Sequence, residues 1–324
     1  MALILNHADV RRLFPTNEAI EAMEGAFRAL GEGRTVLPLR SIVWTPERNG
    51  AIGMMPGYVP DRLGAKVVTV FPGNHGTDLD SHQGVVILCD AQNGRLLAVL
   101  DATEITALRT AAVSALATRL LAREDAGDLA IFGSGTQART HLAAMLAVRR
   151  IRRVRVWSRN PGNARAFADR EARRHGVAIE TAGSAEEAAR GADLLCTVTS
   201  AREPFLRGEW LSSGAHVNAV GSSIASAREL DAAAVALGRF LGDRRESILH
   251  ESGDFLLAVK EGAVTDDHLA GELGDVLLGR TPGRRSAEEI TIFKSLGLAI
   301  EDLASAQFLF ERAKSEGAGS WVDL

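Results

Sequence analysis

The chain has 324 residues, enough for about two domains with a sizeable core. Its hydrophobic share of 46%, charged share of 24% and net charge of −4 suit a water-soluble fold and argue against a broad phosphate-binding face, so nucleic acid is not an expected partner. Two cysteines, Cys89 and Cys196 in apolar runs, and eight scattered histidines suit neither a disulfide framework nor a metal centre.

The opening MALILN lacks a basic flank, a long apolar run and a small-residue cleavage site, so it is not read as a signal peptide. No stretch reaches the ~20 apolar residues of a membrane span, and the expected compartment is the cytoplasm. Ile20, Met23, Phe27 and Leu30 predict a helix from Asn17 to Leu30, stopped by Gly31 and Gly33. SIVW, AIGMM, AKVVTVF and GVVILCD, parted by Pro and Gly turns, predict a mainly antiparallel sheet. Thr103 to Ala122 reads as a long helix rich in small residues, which makes this first part α+β.

From Asp128 strands and helices alternate. DLAIF, a helix from Thr136 to Arg149, VRVWS, a helix near Asn163–His175 and AIETA follow one another. SAEEAAR opens with a capping-box pair, Ser184 and Glu187, and DLLCTVTS, HVNAVG, FLGD and ITIF supply further apolar strands. This pattern predicts an α/β domain with a Rossmann-type, doubly wound parallel sheet. A last helix, Leu298 to Lys314, carries Ile300, Leu303, Ala304, Phe308 and Leu309 on one face and is expected to return to the first domain. The expected division is 1–118 with 298–324, and 119–297.

FGSGTQA joins the first strand of that alternation to its helix. Gly133 permits the tight turn, Gly135 lets a pyrophosphate approach the backbone, and Ala138 allows close helix packing. Thr136 and Gln137 open the helix whose N-terminus attracts phosphate, so a dinucleotide is expected here. The next strand ends at Ser158, Arg159 and Asn160, where an NAD-preferring site usually has a carboxylate. A guanidinium and a hydroxyl suit a 2′-phosphate, so NADP(H) is favoured, with NAD(H) possible. Lys294 and Ser295, just past ITIF, and Thr197, with Thr199 and Asn74 as weaker companions, are read as cofactor-side neighbours; Asp254 reads as a loop or cap residue.

AKVVTVFPGN, then GVVILCDAQNGRLLAVLDATEITALRTAAVSALA, and later VNAVGSS…REL and TIFKSLGLAIEDLASA, resemble the ornithine cyclodeaminase/mu-crystallin family from about Arg40 to Ala306. The resemblance implies a homodimer whose N-terminal α+β domain binds substrate and makes the subunit contact, beside a domain holding a nicotinamide cofactor. The family acts on α-amino or α-imino acids, and a guanidinium suits their carboxylate. Arg40 (LPLRS) and Arg109 (ALRTAA) match the family's two substrate arginines, and Lys66 (GAKVV) its lysine. Without the resemblance, Arg40 reads as a surface cation. His82 (DSHQG) is either a proton donor or a turn histidine without a task, and Met54, with Met55 and Phe71, would line an apolar pocket.

Two departures bear on the reaction. Ser223 stands where ornithine cyclodeaminases carry an aspartate, and Gly53 where they carry a glutamate. Without those carboxylates, the resemblance implies reduction of a small α-imino acid, cyclic (such as pyrroline-2-carboxylate) or acyclic, to the L-amino acid, or the reverse oxidation. Lys66, or a water held by Ser223 and His82, would handle the proton. The alternatives are an NAD-dependent cyclodeaminase, a related dehydration of hydroxyproline, and a non-catalytic ligand-binding protein.

Overall fold

The computed structural model describes residues 1–74 and 77–323. In chain order come β1 (Ala2–Leu5), α1 (His7–Leu13), α2 (Thr16–Gly31), β2 (Ser41–Trp44), β3 (Ala51–Val59), β4 (Arg62–Val70), β5 (His82–Asp90), β6 (Leu96–Asp101) and α3 (Ala102–Leu121). Alternation then runs through β7 (Asp128–Phe132), α4 (Thr136–Val148), β8 (Arg153–Trp157), α5 (Pro161–His175), β9 (Ile179–Thr181), α6 (Ala185–Ala189), β10 (Leu194–Thr197) and β11 (His216–Ala219). There follow α7 (Ala232–Leu237), β12 (Arg239–Gly242), α8 (Arg245–Glu251), α9 (Gly253–Lys260), β13 (Leu269–Glu272), α10 (Leu273–Leu277) and β14 (Thr291–Lys294). The chain ends in α11 (Ala299–Glu316) and β15 (Ser320–Val322).

Two compact units emerge, 1–109 with 298–324, and 110–297. The division falls inside α3, whereas the sequence put it at 118/119, near the far end of the same helix.

The first unit is a seven-stranded sheet, ordered β15-β1-β6-β5-β4-β3-β2, with α2 and α11 packed together and α11 lying on β3, β4, β5 and β6. Among the described residues its pairings are antiparallel except that of β1 with β6, which is parallel. Directly opposed residues of an antiparallel pair share a face, so register sorts the side chains. Lys66 stands between Met55 and Val86, on the face that α11 covers. Val43, Ile52, Met54, Leu63 and Val85 belong to the opposite face, and all are exposed.

The second unit is an eight-stranded sheet, ordered β13-β12-β14-β11-β10-β7-β8-β9, parallel at every pairing. From β7 the chain winds out to β8 and β9, then returns to β10 on β7's other side. The turn after β7 therefore opens at the topological switch point, where open α/β sheets bind ligands. Alanines dominate the packing around it: Ala130, Ala188, Ala189, Ala215, Ala219, Ala234 and Ala258 join Phe132, Phe240 and Phe255 in one buried cluster.

Some local readings change. Ser184 caps α6 through Glu187 N–H at 3.0 Å, but the Glu187 carboxylate takes Gly183 N–H at 2.7 Å, one residue before the cap. Cys196 is buried whereas Cys89 is only half-buried. β1, β6, β13 and β15 lie outside the strands read from the sequence. Among the described residues, no helix is long and apolar enough to cross a membrane.

Candidate active site

The substrate-side residues are organised by α11. Glu301 and Asp302 lie in its first turn, both fully buried carboxylates. The positive end of the helix dipole and the Leu298 N–H, 3.0 Å from Glu301 Oε1, help such groups to stay ionised away from water. Lys66 Nζ lies 2.8 Å from Asp302 Oδ2 and 3.0 Å from Oδ1, and donates more weakly to Thr106 Oγ1 at 3.5 Å. Arg109 on α3 donates from Nη1 to Glu301 Oε2 at 2.6 Å and from Nε to Asp302 Oδ1 at 3.2 Å. Two buried cations thus face two buried carboxylates, and the quartet is neutral when all four are ionised.

Burial affects the two cations differently. Burial is the largest influence on Lys66 and Asp302 opposes it, but Arg109 and Arg40 add to the lowering and bring the amine to about 8. For Arg109, burial also works against the charge, yet Asp302 and Glu301 outweigh it and hold the pKa above its ordinary value. A lysine titrating near 8 can exchange its proton at neutral pH, whereas the guanidinium remains a fixed charge.

Other expected members of the site fall elsewhere. Arg40 is half-buried just before β2, close enough for its charge to act on Lys66. Met54 does not join the substrate candidates: it pairs with Val67 on the face opposite Lys66, and the side-chain alternation gives its place to Met55. His82 shares Lys66's face but opposes Val70, four residues along β4, so their backbones are offset by about 13 Å. Its exposed ring meets Ser81 Oγ at 3.1 Å, outside the buried cluster. Asn74 closes its own loop by donating to Asp80 O at 3.0 Å. Gly53 shares Lys66's face, and a Cβ there would meet nothing nearer than Val68 Cγ1 at 3.7 Å. A Cβ therefore fits here without a clash, and the sequence places no carboxylate at this position.

In the second unit the turn after β7 has the form a dinucleotide requires. Gly133 adopts φ +117°, and a Cβ there would strike Val198 O at 2.7 Å. Gly135 is the N-cap of α4 with no side-chain cap, and a Cβ on it would meet nothing within 4 Å. Open backbone in front of an uncapped helix N-terminus fits a pyrophosphate. Thr136 and Gln137 begin α4, and Ala138 is fully buried behind them. At the end of β8, Ser158 Oγ accepts from Ser134 Oγ at 3.2 Å and Arg159 is exposed. Asn160 is differently engaged: its side-chain oxygen caps α5, accepting from Gly162 N at 2.9 Å and Asn163 N at 3.3 Å.

Across the sheet, Thr197, Ala219 and Lys294 end β10, β11 and β14 side by side. Among the described residues the buried Ser295 hydroxyl has no hydrogen-bond partner, as expected of a group awaiting a polar ligand, whereas the Thr197 hydroxyl acts on the buried Glu229 carboxylate. Lys294 and Asp254 depart from their readings. Lys294 has no exposed surface and its Nζ sits 2.8 Å from Asp254 Oδ2, so it cannot meet a cofactor without leaving that pair. Asp254 also takes the N–H groups of Glu229 and Leu230, at 2.7 and 3.0 Å, making it a buried anchor. Glu229 was not foreseen either: it accepts from Thr199 N, Thr199 Oγ1 and Gly221 N at 2.7, 2.6 and 2.8 Å. It thereby ties down the loops after β10 and β11, the second of which carries half-buried Ser223.

The profile of the ornithine cyclodeaminase/mu-crystallin family matches residues 1–317. Ketimine reductase mu-crystallin from Mus musculus is 40% identical over 294 residues, 90% of each chain. The structure is similar to Thermococcus litoralis Δ1-pyrroline-2-carboxylate reductase in complex with NADH and L-proline, with a TM-score of 0.96 and 40% identity over 99% of this chain and 100% of that one. It is also similar to an archaeal alanine dehydrogenase dimer with bound NAD, with a TM-score of 0.94 and 33% identity over 99% of each chain.

Proposed function

This chain belongs to the ornithine cyclodeaminase/mu-crystallin family, and we propose that within it the protein is a nicotinamide-dependent oxidoreductase that reduces a small α-imino acid to the L-amino acid, or runs the reverse oxidation. The observation that carries this reading is the buried quartet: an amine titrating near 8 held beside a fixed guanidinium, with Arg40 close by. An α-imino acid needs its carboxylate held and its nitrogen supplied with a proton. Arg109 and Arg40 suit the first task, through bidentate donation, and Lys66 the second. A nicotinamide held in the second unit would supply, when bound, a hydride for the C=N carbon. The nitrogen takes a proton from the Lys66 ammonium unless it already carries one, and the product is a secondary or primary amine.

The chemistry of the family's lyases finds less support in these residues. Gly53 presents no carboxylate, and Ser223 offers a hydroxyl that is neutral at pH 7. Neither can hold a second ammonium or take up a proton readily. Similarity to a ketimine reductase and to a pyrroline-2-carboxylate reductase supports the same choice.

NADP(H) is the proposed cofactor, because the residues after β8 are Ser158 and exposed Arg159 with no carboxylate to repel a 2′-phosphate. A homodimer formed through the exposed apolar face of the first sheet is proposed with it. Two free cysteines support a reducing compartment, the cytoplasm.

The test is absorbance at 340 nm with purified protein, NADPH or NADH, and a panel of imino acids: pyrroline-2-carboxylate, piperideine-2-carboxylate, and pyruvate with ammonia or methylamine. Loss of absorbance with one member is expected and names the substrate class. A flat trace across the panel, with cofactor binding demonstrated separately, would sink the reductase reading in favour of a lyase, which leaves no net change in the cofactor.

A further inference from the structure

We propose that Asp302 is a positioning residue for the reaction: its Oδ1 accepts from both Lys66 Nζ and Arg109 Nε while its Oδ2 stays in ion-pair contact with the same ammonium, and it thereby locks the ammonium and the guanidinium into a single unit that reads the substrate's nitrogen and carboxylate together. The inference rests on the reductase reading, in which Lys66 carries the proton.

The geometry is specific. Lys66 comes from β4, Arg109 from α3 and Asp302 from α11, elements far apart in sequence. One carboxylate joins them, at 2.8 and 3.0 Å to Nζ and 3.2 Å to Nε. Lys66 has a flexible four-carbon stem, and a buried ammonium on such a stem needs an anchor to hold one position. Glu301, the neighbouring carboxylate, is engaged differently: it takes Arg109 Nη1 and closes the start of its own helix through Leu298 N–H. Asp302 contacts both cations. It is the acid whose charge holds Lys66, which otherwise faces Thr106 and Arg109 from α3, Met55 and Val86 from the flanking strands, and the charge of Arg40.

The electrostatics agree in sign. Asp302 is the main influence that holds the Lys66 amine up against burial, Arg109 and Arg40. Removing its charge lowers that pKa below about 8, so less ammonium remains at neutral pH and the proton donor fails earlier as pH rises. A purely structural role for Asp302 would lower stability without moving a titration.

The experiment compares the full-length protein with Asp302→Asn and Asp302→Glu, using NADPH and the imino acid that the wild type reduces. In Asp302→Asn, kcat at pH 7.5 is expected to fall at least about tenfold and the alkaline limb of kcat/KM to move about one pH unit lower, with NADPH affinity within about twofold of wild type. Asp302→Glu, which keeps the charge, is expected to restore the limb while recovering only part of kcat, because its longer side chain shifts the pair. The chain has only four lysines, so lysine labelled with carbon-13 at Cε lets the Lys66 titration be followed directly, with assignment by Lys66→Met. A limb that stays in place in Asp302→Asn, or a Lys66 midpoint that remains near 8, overturns the proposal. If the wild type reduces no imino acid, it is the reductase reading that fails, and the Lys66 titrations of the two variants still decide whether Asp302 controls this amine.

Discussion

At the scale of single residues, the cations were legible and their partners were not. A lysine inside an apolar strand and an arginine inside a helix of alanines each stand out, because charges are almost never buried without a partner or a task. Asp302 and Glu301 follow the same logic, yet two acids in the first turn of an amphipathic helix resemble ordinary surface charges placed against the helix dipole. Only the fold reveals that this turn is buried. Arg159 allows the sharpest test at this scale. It follows β8, is exposed, and meets no acid that the sequence places beside it. If it binds a 2′-phosphate, Arg159→Ala should weaken NADPH about tenfold, since an exposed charge-assisted hydrogen bond is worth roughly 1–2 kcal/mol. NADH, which lacks the phosphate, should bind the variant as it binds the wild type. Cofactor titrations followed by nicotinamide fluorescence would measure both affinities, and equal losses for the two would exclude the phosphate contact. Hydroxyl and main-chain donors could still select NADP in that case, but Arg159 would not be the selector.

At the scale of elements, the long periodic segments matched the sequence reading, and strands as short as β9 and β10 were legible through their alternation with helices. α2, α3 and α11 each run sixteen residues or more, enough turns to show which face is apolar, whereas β13 and β15 are too short to show a period. The long helices also hide polar links that no pattern exposes. His141 on α4 donates from Nδ1 to Gln137 O at 2.8 Å and accepts at Nε2 from Ser114 Oγ of α3 at 2.9 Å. The neutral ring is the form that fits both bonds, and burial lowers its pKa to about 4. Its folded pKa lies below the unfolded value near 6.5, so its contribution to stability is whole above pH 6.5 and is lost as pH falls towards 4. Between pH 7 and pH 5 that loss amounts to about 2 kcal/mol. His141→Gln removes the titrating group, so its stability should fall less steeply over that range, from a lower value at pH 7. Buried His216, lowered to about 3, titrates the same way in both proteins and drops out of the comparison. Urea unfolding at the two pH values measures the difference, and equal slopes would mean that His141 is already solvated in the folded state.

At the scale of the whole molecule, the first sheet carries apolar residues outside the core. Alternating strands such as AIGMM and AKVVTVF carry apolar residues on both faces, a pattern expected of a sheet covered on both sides. In one chain α11 covers only one side. The other leaves Val43 at 59% exposure, Leu63 at 44%, Met54 at 42%, and Ile52 and Val85 at 37% each. Register puts these five on a common face across β2, β3, β4 and β5, so they form a surface and not scattered exceptions. A continuous apolar face of this kind is costly in water and marks an interface. A second copy of the chain can cover it with the same residues under two-fold symmetry, which makes the contact self-complementary. The double substitution Met54→Asp and Val85→Asp would place charges near the middle of the face without altering the side that holds Lys66. Light scattering on the eluting protein should then report the 34.5 kDa chain mass in place of twice that value, with circular dichroism unchanged. A variant that remains dimeric would move the interface elsewhere and leave this face to another partner. An unfolded variant would be answered by the single Met54→Asp, which should weaken association in proportion to dilution. Dimer dissociation that shifts with concentration in Met54→Asp, and not in the wild type, would assign the face to self-association.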